Sequence, residues 1–159
     1  HKSLSYKVYE RRKHLKAEFH GLSQHEIKQI SATKGADILT ESYLKNIISY
    51  SGDTPVDNYD RFDGSELLIH EATFLHSEGE DQVQSRDNRH SRIDEVLKMA
   101  SEIQLEKLIL CHFSSRYDRN EIDSCLKRLL KEYHIDVPIY LIYPGQIHRD
   151  ILNSEPFNA

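Results

Sequence analysis

Two short apolar runs within residues 47–74 decide the fold of this chain. The first reads Ile-Ile-Ser-Tyr-Ser-Gly-Asp-Thr (47–54), and the second reads Leu-Leu-Ile-His-Glu-Ala-Thr-Phe (67–74). Each run resembles a buried strand and ends abruptly in ionisable residues, which are Asp53 in the first and His70 and Glu71 in the second. In α/β proteins, buried strands commonly carry functional groups at their C-terminal ends. The pattern also fits two core strands followed by ordinary polar turns.

The segments around these runs alternate between strand and helix patterns. Period-two alternation predicts a strand over 4–9, and a capping box at Ser23 and Glu26 predicts a helix that ends near Lys34. The other predicted elements are strands over 47–50, 66–69, 107–111 and 138–143, helices over 91–103 and 120–133, and a polar surface loop over 76–89. This order of elements predicts an α/β layered domain.

Composition narrows the function classes. The chain has 159 residues, 38% hydrophobic and 30% charged, which is typical of one soluble domain. Because its net charge is −5, any nucleic-acid contact must use a local basic patch. The basic run of residues 11–16 is a candidate for such a patch, and its other interpretation is a solvated hairpin or loop. No apolar run is long enough to span a membrane. We interpret Cys111 and Cys125 as reduced core residues of a cytoplasmic protein.

Five ionisable residues share one kind of position, where a strand ends or a helix begins. They are Asp53, His70, Glu71, His90 and His112. Strand C-terminal ends gather along one edge of a layered α/β fold, so these side chains are expected to lie near one another. Imidazole and carboxylate ligands without thiolate suit Zn²⁺ or Mn²⁺ in a catalytic role, although each histidine taken alone fits a structural or exposed position as well.

Several motifs together resemble the tRNase Z (ribonuclease Z) branch of the metallo-β-lactamase superfamily. They are Ser-Gly-Asp-Thr (51–54), His-Glu-Ala-Thr-Phe (70–74), His-Ser (90–91), Leu-Cys-His-Phe-Ser-Ser-Arg-Tyr (110–117), and His1 followed by Leu-Ser-Tyr-Lys-Val-Tyr-Glu (4–10). The match covers almost the whole chain in the expected order. The resemblance implies that residues 1–159 form the C-terminal half of a metallo-β-lactamase αβ/βα sandwich.

The resemblance also implies roles for individual residues. His1 and His112 would each ligate one ion of a dinuclear zinc site, and Asp53 would bridge both ions. Glu71 and His90 would form a hydrogen-bonded pair that protonates the leaving oxygen. The implied reaction is phosphodiester hydrolysis by a metal-activated hydroxide, which removes the 3′ trailer of precursor tRNA.

Residues next to these positions have weaker assignments. Ser114 and Arg116 follow His112 and are candidates to hold a phosphate oxygen, or alternatively to form a turn and an internal ion pair. Thr54 and Thr73 are candidate hydrogen-bond donors to the ligand carboxylates. Strand alternation predicts that His70 faces away from Glu71, so we expect it to support the site or the core.

Three departures from the family pattern shape the expectation: the main metal motif is absent, the insert is short, and His1 is the first residue, so the chain is expected to be the C-terminal part of a longer protein. The family motif His-x-His-x-Asp-His is absent and would lie upstream of His1, so a partner N-terminal half is expected to complete the site. That half would also cover an apolar face formed by Leu68, Leu108 and Leu110. Residues 11–46 stand where relatives carry a tRNA-binding arm, and this insert is short, which weakens the case for tRNA. A homodimer is compatible with these features. The alternatives are hydrolysis of another phosphodiester or ester, and a non-catalytic half that pairs with another chain.

Overall fold

A computed structural model describes residues 3–75 and 90–159. The predicted ligand His1 and the predicted loop at 76–89 lie outside the described residues. The chain divides into two compact units: one comprises residues 1–8 and 46–159, and the other residues 9–45. Within the described residues, no helix is both long and apolar enough to cross a membrane.

The elements follow the predicted order of strands and helices. The strands are β1 (Tyr6–Leu15), β2 (Thr40–Tyr50), β3 (Ser65–Glu71), β4 (Leu105–Cys111) and β5 (Ile139–Leu141). The α-helices are α1 (Gln24–Lys34), α2 (Ala36–Leu39), α3 (Ile93–Glu102) and α4 (Arg119–Tyr133). Short 3-10 helices occupy Ala17–Phe19, Tyr59–Arg61 and Ile151–Asn153. The α/β prediction is therefore confirmed.

The five strands form one sheet in the order β1-β2-β3-β4-β5. Strands β2 to β5 run parallel, with Tyr50 opposite Ile69, Ile69 opposite Ile109, and Leu110 opposite Leu141. Because parallel strands place their carboxyl ends at the same edge, the residues that follow β2, β3 and β4 meet there. This edge is the one at which the sequence predicted a functional site.

One face of the sheet is fully covered within the larger unit. Leu68, Leu108 and Leu110 are each 0% exposed, because they belong to one core with the apolar residues of α3 and α4. The expectation that these three leucines form an uncovered face is wrong. Amphipathic helices from the chain itself, carrying Val96 and Leu126 among others, bury that face.

The opposite face of the sheet is open only in part, at β2 and β3, since Ile109 of β4 on the same face is 4% exposed. By strand alternation it carries Ile48, Leu67, Ile69 and Tyr50; the first three are half-buried and Tyr50 is 39% exposed. The edge of β5 is protected differently, by the C-terminal segment. There Asn158 accepts a hydrogen bond from the Ile139 N–H at 2.9 Å.

The smaller unit, residues 9–45, contains α1 and α2. The predicted capping box is present, since the Glu26 N–H donates to Ser23 Oγ at 3.3 Å and the Ser23 N–H donates to Glu26 Oε2 at 2.8 Å. The predicted end of α1 near Lys34 is also confirmed, with Gly35 at the C-cap. Side chains of the basic run have acidic neighbours inside this unit: Lys13 pairs with Asp37 at 2.8 Å.

Candidate active site

Glu71 lies at the base of the site, at the end of β3, where its side chain is 2% exposed. Its carboxylate accepts hydrogen bonds from the backbone N–H groups of Thr73 (3.1 Å) and Ser91 (2.9 Å), and from the Thr73 hydroxyl (2.5 Å). A buried carboxylate is stable only with such partners. The chain therefore holds Glu71 in one position with three donors.

His90 bonds the same carboxylate from the segment before α3. Its Nδ1 lies 3.2 Å from Glu71 Oε1, and its side chain is 28% exposed. A carboxylate oxygen accepts here, so His90 Nδ1 is the donor of this hydrogen bond, as inferred from the network. The structure thus brings together the two residues that the sequence assigned to a catalytic pair.

His112 follows β4, and its ring lies parallel to that of His90, with centroids 5.5 Å apart and planes inclined by 21°. Its Nδ1 is 2.9 Å from Thr73 Oγ1. The single Thr73 hydroxyl proton is directed to Glu71, so the hydroxyl oxygen accepts from His112 Nδ1–H. His112 Nε2 is consequently free to ligate a metal, which is the usual way that a neighbouring group selects the metal-binding tautomer.

Asp53 completes a cluster that could hold a metal ion. Its Oδ1 lies 3.7 Å from His112 Nε2, and the side chains of Asp53 and His112 are each 50% exposed. Asp53, His90 and His112 offer ligand atoms that all lie within 4.8 Å of one another. The nitrogen and oxygen donors fit zinc or manganese. Burial, reinforced by nearby Glu71 and Asp53, raises the pKa of the Cys111 thiol to about 11 and keeps that neighbouring sulfur protonated.

Unusual backbone conformations place Asp53 and His112. Gly52 has a φ of +66°, and a Cβ there would lie 2.5 Å from the Leu4 carbonyl oxygen, so only glycine fits. Ser3 fixes the next residue, since its Oγ accepts from the Asp53 N–H at 2.8 Å. His112 has a φ of +60°, which is rare for a non-glycine residue and is concentrated at functional sites.

The remaining predicted site residues have diverse contacts. The Thr54 hydroxyl donates to the Pro55 carbonyl at 3.4 Å rather than to a ligand carboxylate. Arg116 Nε donates to Ser114 Oγ at 3.2 Å. The Arg116 guanidinium lies 5.4 Å from the centre of the Phe74 ring, and that ring contacts the ring of His90 edge-on. Arg116 is exposed, so its charge is available beside the pair.

His70 faces the core, as strand alternation predicted. It is fully buried, its Nδ1 donates to the Glu71 carbonyl at 2.7 Å, and its ring meets Phe62 edge-on. Its Nε2 has no hydrogen-bond partner among the described residues. Burial lowers the pKa of His70 to about 4, so the ring is neutral near pH 7.

Sequence reasoning missed two serines that support the site. Ser51 Oγ accepts from the Glu71 N–H at 3.1 Å, and Ser91 supplies both the N–H to Glu71 and a hydroxyl that donates to the Thr54 carbonyl at 2.6 Å. The sequence predicted a helix from residue 91, but α3 begins at Ile93 with Arg92 at the N-cap, so Ser91 precedes the helix. The adjacent His-Ser pair was the available signal for the role of Ser91.

Known proteins share this sequence pattern. No protein-family model matches the chain. The tRNase Z TRZ1 of Arabidopsis thaliana is 33% identical over 136 residues, which are 80% of this chain and 46% of that protein. The chain is a relative of ribonuclease Z. Ribonuclease Z of Methanocaldococcus jannaschii is 35% identical over 91 residues, 55% of this chain and 28% of that protein. The chain thus spans less than half the length of either ribonuclease Z.

Structural comparison agrees with this assignment at the level of the fold. The metallo-β-lactamase fold protein YhfI from Bacillus subtilis superposes with a TM-score of 0.50 at 15% identity, over 70% of this chain and 45% of that chain. Over the 70% of the chain that superposes, this relative of ribonuclease Z therefore has the metallo-β-lactamase fold. The predicted family resemblance and fold class are both confirmed.

Proposed function

We infer that the whole protein containing this chain is a metal-dependent hydrolase of RNA phosphodiester bonds. The observation that carries the proposal is a shared hydrogen-bond network: the Thr73 hydroxyl contacts both Glu71 and His112. An acid–base pair and a metal-ligand cluster are thereby connected at one sheet edge. Similarity to ribonuclease Z supports RNA as the substrate.

Asp53 and His112 are the residues that would hold zinc, and the resemblance implies that Asp53 would serve as a ligand common to both ions. Their fit rests on the donor atoms and on the free Nε2 of His112, which its bond to Thr73 leaves unprotonated. The chemistry supplied by bound zinc is a lowered pKa of water and neutralisation of charge on the phosphate. Manganese prefers overlapping ligands and is the alternative ion.

Glu71 and His90 are proposed to move the proton to the leaving oxygen. Glu71 accepts from His90 Nδ1–H, which orients the ring and leaves Nε2 to carry a proton at the open side of the site. Exposed Arg116 is placed to attract a phosphate of the strand.

The finer features of the proposal come from the resemblance. The reaction is removal of the 3′ trailer of precursor tRNA, and residues outside this chain, in the His-x-His-x-Asp-His motif, supply further ligands. A dinuclear site needs more ligands than Asp53 and His112, the two that the described residues would supply. The half-buried face of Ile48, Leu67 and Ile69 is the surface on which a complementary half would pack. We expect a cytoplasmic enzyme that is able to form a homodimer.

One observation favours a second candidate, hydrolysis of a small phosphodiester or ester. The smaller unit, residues 9–45, pairs basic side chains internally: Lys13 bonds Asp37, and His14 Nε2 lies 3.5 Å from Glu41. Paired charges provide less attraction for an RNA backbone than a free basic patch does.

Cleavage assays on the whole protein separate the candidates. We would compare a precursor tRNA that has a 3′ trailer with bis(p-nitrophenyl) phosphate, a diester without nucleobases. We expect Asp53→Ala to abolish both activities and lower the zinc content, because a shared carboxylate balances two cations. Asp136→Ala removes an exposed carboxylate from a loop and is the matched control. Normal zinc content and normal turnover in Asp53→Ala would refute the role of Asp53. Cleavage of bis(p-nitrophenyl) phosphate without cleavage of precursor tRNA by the wild-type protein would favour the hydrolase of small phosphodiesters or esters.

A further inference from the structure

A concave site lies at the end of β5, the strand that pairs with β4. Its volume is about 380 Å³, at the small end of the range for small-molecule sites. Among the residues lining it are Arg119, Tyr140, Tyr143, Gln146, Glu155 and Phe157. None of these residues belongs to the proposed metal cluster or to the proton-transfer pair.

The sheet register places this pocket next to the candidate active site. Leu110 on β4 pairs with Leu141 on β5, and His112 and Tyr143 each lie two residues beyond that pair. The rings of Phe113 and Tyr143 are 6.3 Å apart at an angle of 29°. Neighbouring parallel strands lie about 4.8 Å apart, so the pocket is within the length of a short nucleotide segment from His112.

The pocket presents a fixed planar cation. The Arg119 guanidinium lies 4.6 Å from the centre of the Tyr143 ring, and the Tyr143 hydroxyl donates to Asp123 Oδ1 at 2.5 Å. Burial and the Asp123 carboxylate raise the pKa of Tyr143 to about 12, so this hydroxyl stays a donor. The ring is therefore anchored, and the exposed Arg119 side chain on it contributes a flat surface to the pocket.

The remaining lining favours a base over a phosphate. Gln146 offers its amide N–H groups, since its Oε1 lies 3.1 Å from Nε2 of His148, which also lines the pocket, and the Glu155 carboxylate offers acceptors; donors and acceptors together match the polar edge of a base. Glu155 would repel a phosphate, whereas the rings of Tyr140 and Phe157 suit a planar, weakly polar ligand. Guanidinium planes and aromatic rings are the usual surfaces on which proteins stack unpaired bases.

We propose that this pocket binds an unpaired nucleobase of an RNA strand, a few nucleotides from the bond that is cleaved. The inference rests on the proposed function, since it assigns a second subsite to the same RNA substrate. It predicts discrimination between strands that have bases and strands that lack them, which a purely electrostatic surface does not show.

The direct test is metal-free binding of short RNA to residues 1–159. We would measure anisotropy of a fluorescein-labelled RNA decamer, and of the same decamer with abasic residues, in the presence of EDTA. The variants are Arg119→Ala, Arg119→Lys and the control Arg128→Ala, which removes the same charge from an exposed position of α4. We expect the chain to prefer the base-containing strand by roughly 5- to 150-fold, the effect of one stacked base.

Arg119→Ala and Arg119→Lys should both lose this preference, since lysine keeps the charge but has no plane to stack. Arg128→Ala should retain it. Equal affinity of the wild-type chain for both strands, absence of binding, or equal losses in Arg119→Ala and Arg128→Ala would each overturn the proposal. Displacement of the decamer by adenosine or uridine monophosphate at similar concentration would assign the pocket to a free nucleotide and also overturn it.

Activity on the base-free reporter separates this proposal from the proposed function. In the whole protein, Arg119→Ala should cleave bis(p-nitrophenyl) phosphate at the wild-type rate and bind RNA less tightly. A wild-type protein that cleaves no diester but still shows base-dependent binding would refute the hydrolase and not the pocket. An intact hydrolase without base-dependent binding would refute the pocket alone.

Discussion

Replacing Thr73 with valine tests the network on which the proposed mechanism depends. Valine has the same shape as threonine at Cβ but lacks the hydroxyl, so the change removes hydrogen bonds and little volume. The hydroxyl donates to Glu71 Oε2 at 2.5 Å and accepts from His112 Nδ1 at 2.9 Å. The two backbone N–H donors to Glu71, from Thr73 and Ser91, remain in the variant.

The magnitude follows from the burial of these groups. Thr73 is 8% exposed and Glu71 is 2% exposed, so water cannot readily replace the lost donor. A hydrogen bond to a charged group contributes about 1.5–3 kcal/mol, and an unsatisfied buried acceptor costs about as much. We therefore expect the free energy of unfolding to fall by about 1.5–3 kcal/mol. The loss of orientation at His112 should lower turnover by about tenfold or more, because positioning partners of metal ligands have effects of about 10–100-fold.

Urea denaturation of the chain and turnover of the whole protein measure these two effects separately. Thr73→Ser keeps the hydroxyl and is the matched control, so it should recover most of both losses. A valine variant with unchanged unfolding free energy and unchanged turnover would show that the hydroxyl links neither group, which would refute the network.

Three further predictions concern other residues of the site and its support. Asp53→Ala should reduce bound zinc in the whole protein more than Glu71→Gln does, as measured by elemental analysis. His90→Ala and Glu71→Gln should each lower turnover by roughly 10²–10⁴-fold, and the double variant should resemble either single one, whereas additive losses would argue against a pair. The pKa of His70 is lowered to about 4 in the folded chain, below the unfolded value of about 6.5. As the pH falls, the unfolded chain therefore takes up the proton first. The free energy of unfolding should decrease as the pH drops from about 6.5 towards 4. His70→Leu should flatten this dependence in acid denaturation and His25→Leu should not; equal slopes in both variants would contradict it.

Much of the fold and four of the site positions follow from the sequence because they depend on local patterns. Asp53, Glu71, His90 and His112 all stand at element boundaries, and parallel pairing brings such boundaries to one edge. The wrong expectation concerned Leu68 and its neighbours, which face α3 and α4. Alternation shows that a strand has two faces, but it does not say which of the two the helices of the chain itself will cover.

The contacts that fix the site were not predictable, because they join residues distant in sequence. Ser3 binds the backbone of Asp53, and Thr73 reaches His112, which lies 39 residues away. A hydroxyl has no preferred partner that composition could reveal, since serine and threonine bond to backbone, water or side chains with similar ease. Only the register of β3 against β4 places Thr73 beside His112.

The register of β3 determines both which side chain is buried in the core and which side chain faces the candidate active site. Glu71 and His70 are adjacent in β3 and point to opposite faces, and Glu71 pairs with Cys111 while His70 pairs with Leu110. A slip of one residue would exchange their faces and place the carboxylate against Phe62 in the core, without the donors from Thr73 and Ser91. Burying an unpartnered carboxylate is far more costly than burying the neutral ring of His70. The same apolar pattern that selects the register therefore also directs Glu71 towards His90.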